Sequence, residues 1–270
     1  MTPSIFGMDM TLFRVGDWLM RCYKAFTLTL RSSHMPSTRP LKNTALVLVD
    51  IQNDFLPPNG SLAVTGARNI LPCVTTLLNE YRWDLVVASS VRHPPGHISF
   101  ASAHPGRKPF DSIKVPVPNQ EPISQMLWPD HCVPDTWGAQ FEDSVQRQLT
   151  RLEQSGTKVE VIRKGKDINV DSYSGFADIV YSSFTDMAKV LYQNDVGRLV
   201  MVGVATDFCV VFTANDARKF GFETLLITDG TAAVFPENEE KTIKEMRDRG
   251  VKTMTLKEFQ ALDSSKNAAL

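Results

Sequence analysis

Short apolar runs rich in Val, Ile and Leu recur along the chain after residue 40. Within each run the apolar residues are continuous rather than alternating, which is typical of strands that are buried on both faces of a sheet. The pattern therefore predicts a six-stranded, mostly parallel sheet. Its strands are expected at Ala45–Val49, Leu85–Ala88, Val159–Ile162, Leu199–Val204, Thr224–Ile227 and Val251–Met254.

Segments with helical periodicity lie between most of these runs. Strands that alternate with helices form a parallel sheet covered by helices on both faces. Gly221 and Gly250 stand just past two of the helical segments, where a left-handed C-terminal cap favours glycine. We therefore predict an α/β fold, a single doubly wound domain over residues 41–270. Its helices are expected at Ala67–Tyr81, Ala139–Glu153, Asp186–Asn194, Phe208–Phe220 and Glu237–Arg249.

The stretch His93–Pro134 interrupts this alternation of strands and helices. It is rich in proline and shows no clear helical or strand period. A loop of this length inside a compact domain is usually functional. We therefore expect it to contribute to a functional site.

Residues 1–40 differ from the rest of the chain. From Met10 to Ser33, polar and mostly basic side chains recur at steps of three, four or seven residues, which predicts an amphipathic helix. An organellar transit peptide has a similar Arg-rich composition, but Asp9 and Asp17 argue against one. The alternative is a poorly ordered extension, with Met35 as an internal start. These residues are thus predicted to be an N-terminal extension, either helical or disordered.

Charge and cysteine content argue against several classes of protein. The 29 Lys and Arg residues of the 270-residue chain nearly balance its 30 Asp and Glu residues, which argues against a nucleic-acid binder. No apolar stretch approaches about 18 residues, so no membrane-spanning helix is expected. The scattered cysteines point away from a structural zinc site or a disulfide scaffold and favour a reducing compartment. They are Cys22, Cys73, Cys132 and Cys209.

Three polar residues follow predicted strands, at the edge of a parallel sheet where ligands bind. Asp50 follows the first strand, Lys164 the third and Cys209 the fourth. A cysteine becomes a nucleophile when a nearby cation or a helix N-terminus stabilises its thiolate. Lys164 could supply that cation, and Asp50 could accept the thiol proton and return it to a leaving amine. Taken singly, the cysteine could equally be core and the aspartate a helix cap.

Five segments of the chain carry a resemblance to a known family. They begin at residues 49, 93, 127, 164 and 203 and read VDIQNDFLPPNGSLAV, HPPGHISFASxHPG, LWPDHCV, KGxDxxVDSYSGF and GVATDFCV. From about residue 44 to about residue 255 the chain resembles the nicotinamidases of the isochorismatase-like cysteine hydrolase superfamily. One such match alone is weak, but five in family order with matching spacing are specific.

The resemblance implies a set of site residues. The family's Asp-Lys-Cys triad falls on Asp50, Lys164 and Cys209. The family's cis peptide falls between Val204 and Ala205, so that the backbone N–H groups of Ala205 and Cys209 form the oxyanion hole. Three aromatic residues match the rings that hold the pyridine ring in the family, although at least one of them could instead be part of the core. Those residues are Phe55, Trp128 and Tyr173.

At the metal site the chain departs from the family pattern. Nicotinamidases hold a divalent metal with an Asp-x-His pair and a second His, and the pyridine nitrogen coordinates that metal. The two histidines correspond to His93 and His131, but the Asp position is Val91, which has no donor atom. Two neutral imidazoles without a carboxylate make a poorer site for Zn²⁺. Groups that could compensate, although none occupies the expected position, are Ser89, Ser90, His97 and Asp130.

Three functions follow from these residues. The leading hypothesis is a cysteine amidohydrolase that converts nicotinamide to nicotinate and ammonia through a thioester on Cys209. The second keeps the triad but acts on another small amide without metal, because Val91 leaves an apolar spot where a ligand is expected. The third is a catalytically silent relative that serves as a binding subunit.

The expected cofactor is a divalent metal such as Zn²⁺, but Val91 lacks a donor atom, so metal binding is an open question. No organic cofactor is expected. The expected partner is a small-molecule amide. Binding to nucleic acid and insertion into a membrane are not expected, and the protein could form a homo-oligomer. The expected location is the cytoplasm. Mitochondrial targeting by the N-terminal extension is the alternative.

Overall fold

The computed structural model describes residues 43–117 and 120–267. Within these ranges six strands join in one sheet and two more form a separate antiparallel pair. The predictions for residues 1–40, including the amphipathic helix, lie outside the described residues. The strands are β1 (Thr44–Val49), β2 (Leu85–Val91), β3 (Ser112–Val117), β4 (Gln120–Met126), β5 (Val159–Lys164), β6 (Arg198–Val204), β7 (Glu223–Ala232) and β8 (Lys252–Met254).

Helices connect most of these strands. A 3-10 turn, Ala67–Ile70, leads into the first helix, and a π-helical turn, Thr206–Val210, leads into the fourth. None of the described helices combines the length and apolarity needed to cross a membrane. The α-helices are α1 (Leu71–Glu80), α2 (Asp143–Gln154), α3 (Met187–Gln193), α4 (Val211–Lys219), α5 (Glu239–Asp248) and α6 (Leu256–Asn267).

The main sheet has the strand order β5-β2-β1-β6-β7-β8, and all neighbouring strands in it are parallel. The chain begins in the middle with β1, moves outward through β2 to β5, and returns to the centre at β6. The direction of winding therefore reverses between β1 and β6. In open α/β sheets, ligands bind outside the carboxyl ends of the strands at such a reversal.

Alternate residues of the central strand β1 point into two apolar layers. Leu46 and Leu48 belong to one layer, which α1 and α2 cover. Ala45, Val47 and Val49 belong to the other, which α3, α4 and α5 cover. Each fully buried valine or leucine side chain contributes about 1.5–3 kcal/mol to folding. The layers therefore hold the central strands, and with them the residues at their carboxyl ends, in fixed positions.

The structure confirms the predicted α/β fold and its six-stranded sheet, which is parallel throughout. The helix predicted from Ala139 begins only at Asp143. The Glu142 side chain accepts hydrogen bonds from the N–H groups of Ser144 and Val145 and so caps the helix there.

Two elements were not predicted. The hairpin β3–β4 lies inside the proline-rich stretch that showed no period, and α6 lies after the last predicted strand. Pro116 and Pro122 stand within the two hairpin strands, where they obscure the strand pattern. A two-stranded ribbon tolerates them because each of its strands has a free edge. The polar composition of α6 leaves its apolar side weakly marked.

Candidate active site

Asp50 occupies the turn directly after β1, where the sheet reverses its winding. Its φ of 50° is a left-handed conformation that few residues other than glycine adopt. The Ser89 hydroxyl donates to Oδ1 over 2.7 Å, and the Asp50 N–H donates to Ser89 Oγ over 3.2 Å. The aspartate is completely buried, so its charge requires a close partner.

That partner is Lys164, the last residue of β5. Its Nζ lies 2.9 Å from Asp50 Oδ2, and both side chains are shielded from solvent. Nζ also donates to the backbone oxygen of Tyr173. Burial lowers the pKa of Lys164, but the neighbouring Asp50 and Cys209 outweigh burial and raise the pKa above its ordinary value. The lysine is therefore a fixed cation at neutral pH.

Cys209 lies in the π-helical turn that follows β6. The peptide between Val204 and Ala205 is cis, as the sequence resemblance implied. The Ala205 carbonyl accepts hydrogen bonds from the N–H groups of Phe208 and Val210, which closes the turn around the cysteine. The side chain of Cys209 is buried at the reversal of the sheet.

The Cys209 thiol is within hydrogen-bonding reach of both Asp50 and Lys164. Burial raises the pKa of the thiol, Lys164 lowers it and Asp50 raises it again, and the net result lies above the ordinary value. The resting group is therefore a neutral thiol. From the sequence we expected Lys164 to stabilise the thiolate, but burial and the carboxylate outweigh the lysine. A thiolate forms at neutral pH only when a base such as Asp50 takes the proton.

A narrow pocket beside Cys209 is lined mostly by apolar side chains. The three aromatic residues singled out in the sequence line it together with Phe208. The rings of Trp128 and Phe208 meet edge to face, with centroids 4.8 Å apart. Trp128 Nε1 donates to the Tyr173 hydroxyl over 3.2 Å. Rings in this arrangement, with Phe55 also lining the pocket, suit a flat heteroaromatic ligand.

The open space in this pocket is small. The cavity measures about 30 Å³, which is room for about one or two water molecules. A larger ligand is admitted only when lining side chains move aside. Phe208 was not among the predicted site residues, although it directly precedes Cys209 in the GVATDFCV segment.

Three histidines lie side by side at the pocket. His93 stacks on His97 with ring centroids 3.8 Å apart and meets His131 edge to face with centroids 5.0 Å apart. Burial lowers the pKa of all three imidazoles, so they are neutral at neutral pH and have nitrogen lone pairs to offer a metal. The structure thus brings the two predicted metal ligands, His93 and His131, together and adds His97.

Position 91 offers no metal ligand. Val91 is buried. Its N–H donates to Gln52 Oε1 over 2.7 Å, and its carbonyl accepts from Gln52 Nε2 over 3.0 Å. The carboxylate of Asp171, which was not among the predicted site residues, lies close to two of the histidines. The ligand atoms of His93, His97 and Asp171 all lie within 4.8 Å of one another.

Asp171 carried one sequence signal. It lies in the KGxDxxVDSYSGF segment between Lys164 and Tyr173, which were both predicted to be site residues. Of the other compensating groups considered, Ser89 bonds to Asp50, and the exposed Asp130 accepts a hydrogen bond from Ser102.

Known proteins resemble the chain in sequence. The isochorismatase domain family matches residues 170–258. A nicotinamidase of Acinetobacter baylyi is 40% identical over 192 residues, which cover 71% of this chain and 82% of that protein. The chain belongs to the nicotinamidase family.

Solved nicotinamidase structures have the same fold. The yeast nicotinamidase bound to the inhibitor nicotinaldehyde matches with a TM-score of 0.73 and 31% identity, over 78% of this chain and 99% of that one. The pyrazinamidase of Pyrococcus horikoshii in complex with zinc matches with a TM-score of 0.60 and 33% identity, over 79% of this chain and 99% of that one. Almost the whole length of each nicotinamidase-like structure is thus represented in this chain.

Proposed function

We propose that this protein hydrolyses nicotinamide to nicotinate and ammonia. The observation that carries the proposal is the contact among Asp50, Lys164 and Cys209 at the reversal of the sheet, beside a pocket of aromatic rings. A buried thiol next to a buried carboxylate suits nucleophilic attack coupled to proton transfer. Membership in the nicotinamidase family supports the same substrate.

In the first half of the proposed reaction, Asp50 takes the proton of the Cys209 thiol, and the sulfur forms a bond to the amide carbon. The backbone N–H groups of Ala205 and Cys209 stabilise the charge that develops on the amide oxygen. Asp50 then returns the proton to the amide nitrogen, the C–N bond breaks and ammonia leaves. Lys164 remains charged throughout and keeps Asp50 in position.

In the second half, water attacks the carbonyl carbon of the thioester and gives a proton to Asp50. The C–S bond breaks, and the proton passes from Asp50 to the sulfur, which restores the thiol. Nicotinic acid leaves and loses its proton to the solvent. The sum is nicotinamide plus water giving nicotinate and ammonium.

The aromatic residues Phe55, Trp128 and Tyr173 hold the pyridine ring in this proposal. They line the pocket that contains Cys209, so a ring between them presents its carboxamide to the sulfur. Aromatic faces and edges bind a flat ring through dispersion and quadrupole interactions.

A divalent metal such as Zn²⁺ fits the donor set beside the pocket. His93 and His131 remain the ligands proposed from the sequence, and His97 and Asp171 lie next to them. The ligand atoms of His93, His97 and Asp171 lie within 4.8 Å of one another, so a single ion could reach all three. When bound, the metal supplies a coordination position for the pyridine nitrogen.

The test is ammonia release from nicotinamide by the purified protein, with and without added Zn²⁺, Mn²⁺ or Fe²⁺. Ammonia and nicotinate are expected in equal amounts. Benzamide, which has the same carboxamide but no ring nitrogen, is the matched comparison. Equal rates on the two amides favour the second candidate, a hydrolase for another small amide. The structural reason to consider it is Val91, whose apolar side chain lines the pocket. No ammonia with any metal contradicts the proposal and favours a catalytically silent relative.

The partner that we propose is the small amide alone. Homo-oligomerisation stays a prediction, as does the cytoplasmic location with mitochondrial targeting as its alternative. The division into an extension over residues 1–40 and a hydrolase domain over residues 41–270 is proposed on the sequence pattern.

Replacement of Gly165 by Ala is expected to lower ammonia release at least about tenfold. Gly165 follows Lys164 with a φ of 67°, and its carbonyl accepts the Nδ1 proton of His93 over 2.8 Å. A Cβ at this position lies 2.5 Å from Cε1 of His93, so the histidine and the lysine cannot both keep their places. Steady-state kinetics and thermal unfolding measure the effect.

Gly106→Ala is the matched control. Gly106 has a φ of 77°, and a Cβ there meets no atom within 4 Å, so the variant carries the same backbone cost without the collision. That cost is about 1–2 kcal/mol in either variant. Equal activity of the two variants would show that the contact between Gly165 and His93 does not matter for turnover.

A further inference from the structure

Val91 offers no carboxylate to a metal, but the buried carboxylate of Asp171 lies close to His93 and His97. We propose that Asp171, from the loop after β5, supplies the anionic ligand of a divalent metal site that it forms with His93 and His97. The inference rests on the proposed function only for the kind of ligand, a divalent metal, and it depends on neither the triad nor the substrate. In this site the carboxylate ligand comes from the loop after β5 and not from the end of β2.

The distances among the three groups are close to those of a metal site. Their ligand atoms lie within 4.8 Å of one another, and His93 Nε2 lies 3.7 Å from Asp171 Oδ1. In a tetrahedral Zn²⁺ site with bonds of about 2.0–2.2 Å, neighbouring donor atoms are roughly 3.3–3.6 Å apart. Movements of up to about one ångström therefore close the three groups around an ion.

The hydrogen bonds of His93 leave one nitrogen free for a metal. Nδ1 lies 2.8 Å from the carbonyl oxygen of Gly165, and because a carbonyl only accepts, Nδ1 carries a proton. Nε2 faces Asp171 Oδ1 over 3.7 Å, which is longer than a hydrogen bond. Two acceptor atoms that face each other in a buried site are unfavourable, and a cation between them removes the conflict.

His97 offers a second nitrogen. Its Nδ1 lies 2.7 Å from the Ser99 hydroxyl and accepts the Ser99 N–H over 3.3 Å. Backbone groups of Asp167 and Val170 lie near the same imidazole. In the tautomer that binds a metal, the proton is on Nδ1, where the Ser99 hydroxyl accepts it, and the buried Nε2 offers its lone pair.

Asp171 is oriented by the hairpin that the sequence did not predict. Gln125 Nε2, on β4, donates to Asp171 Oδ2 over 2.9 Å, and the Ser172 N–H donates to Oδ1 over 2.7 Å. Both Gln125 and Asp171 are buried. Carboxylates that bind metals are typically held by such additional hydrogen bonds. Gln125 is therefore a positioning residue for the carboxylate.

The first test measures Zn²⁺ binding in the full-length protein carrying Cys209→Ala, so that the result is independent of turnover. Elemental analysis after dialysis gives the stoichiometry, and competition with a chelating dye gives the Kd. About one Zn²⁺ per chain is expected, with a Kd at least about 100-fold weaker in Asp171→Asn. Asp195→Asn is the matched control, because it makes the same change at an exposed aspartate outside the group of His93, His97 and Asp171 and should leave the Kd unchanged.

The second test distinguishes a ligand from a merely structural carboxylate. Asp171→Cys, in the same Cys209→Ala background, places a thiolate where the carboxylate stood. With Co²⁺ as the probe, a thiolate-to-cobalt charge-transfer band is expected that the Asp171 protein lacks. Circular dichroism confirms that each variant is folded.

Three results overturn the inference. They are an Asp171 protein that binds no Zn²⁺, an unchanged Kd in Asp171→Asn, and a folded Asp171→Cys variant that binds Co²⁺ without the band. The ammonia assay is separate, so failure of this metal site and failure of the proposed reaction give different results. If the protein hydrolyses nicotinamide but binds no Zn²⁺, the proposed function is supported and the proposed metal site is contradicted.

Discussion

The Cys209→Ala variant is expected to release ammonia from nicotinamide at least about 10³-fold more slowly than the natural protein. The thiol is buried within reach of Asp50 and Lys164, and its removal takes away the atom that attacks the amide carbon. The alanine leaves both charged partners in place, so the fold should persist. Steady-state kinetics and thermal unfolding by circular dichroism measure the two effects.

Cys73→Ala is the matched control for this variant. Cys73 lies in α1 within the apolar layer that includes Leu46 and Leu48. Burial, followed by the nearby Asp229, raises the pKa of its thiol to about 12, so it is not a nucleophile at neutral pH. The control should keep its turnover, as should variants of Cys22 and Cys132. Retention of more than a few per cent of the activity in Cys209→Ala contradicts the covalent mechanism.

Asp50→Asn is expected to change turnover and thiol reactivity in opposite directions. Ammonia release should fall by about 10²–10⁴-fold, because an amide cannot take the thiol proton. The Asp50 charge raises the pKa of Cys209, so its removal lowers that pKa and increases the thiolate fraction at a given pH. Alkylation of Cys209 by iodoacetamide at mildly alkaline pH should therefore be faster in the variant than in the natural protein.

Lys164→Met is the contrasting variant. The lysine lowers the pKa of Cys209, so its loss raises that pKa and slows alkylation together with turnover. The measurement is the alkylation rate against pH for the natural protein and both variants. Because an unpaired buried charge costs about 3–5 kcal/mol, each variant is first checked for folding by circular dichroism. Alkylation profiles that coincide in all three folded proteins contradict the electrostatic coupling.

The sheet could be predicted because its strands are buried on both faces. Such strands need continuous apolar residues, and each predicted run overlaps a strand of the observed sheet. The hairpin could not be predicted in the same way. Its two strands form a separate ribbon and contain Pro116 and Pro122, and although β3 alternates between exposed and half-buried residues, it has no continuous apolar run. Partial exposure removes the apolar signal on which the other strands depend.

The site was predicted unevenly for a related reason. Asp50, Lys164 and Cys209 each end or follow a strand, and the ends of parallel strands share one edge, so their proximity follows from topology. Asp171 lies in a loop whose path depends on the left-handed Gly165 and on contacts with Gln125. Neither contact leaves a periodic pattern, so the return of this carboxylate to His93 could not be predicted from the sequence.

The small cavity beside Cys209 couples substrate binding to motion of the rings that line it. Its volume of about 30 Å³ is on the scale of one or two water molecules, well below the size of a pyridine ring. In the proposed reaction, binding of nicotinamide therefore displaces lining side chains such as Trp128 and Phe208, whose rings meet edge to face. Binding is then an induced fit, and the rate of association depends on how often these rings move apart.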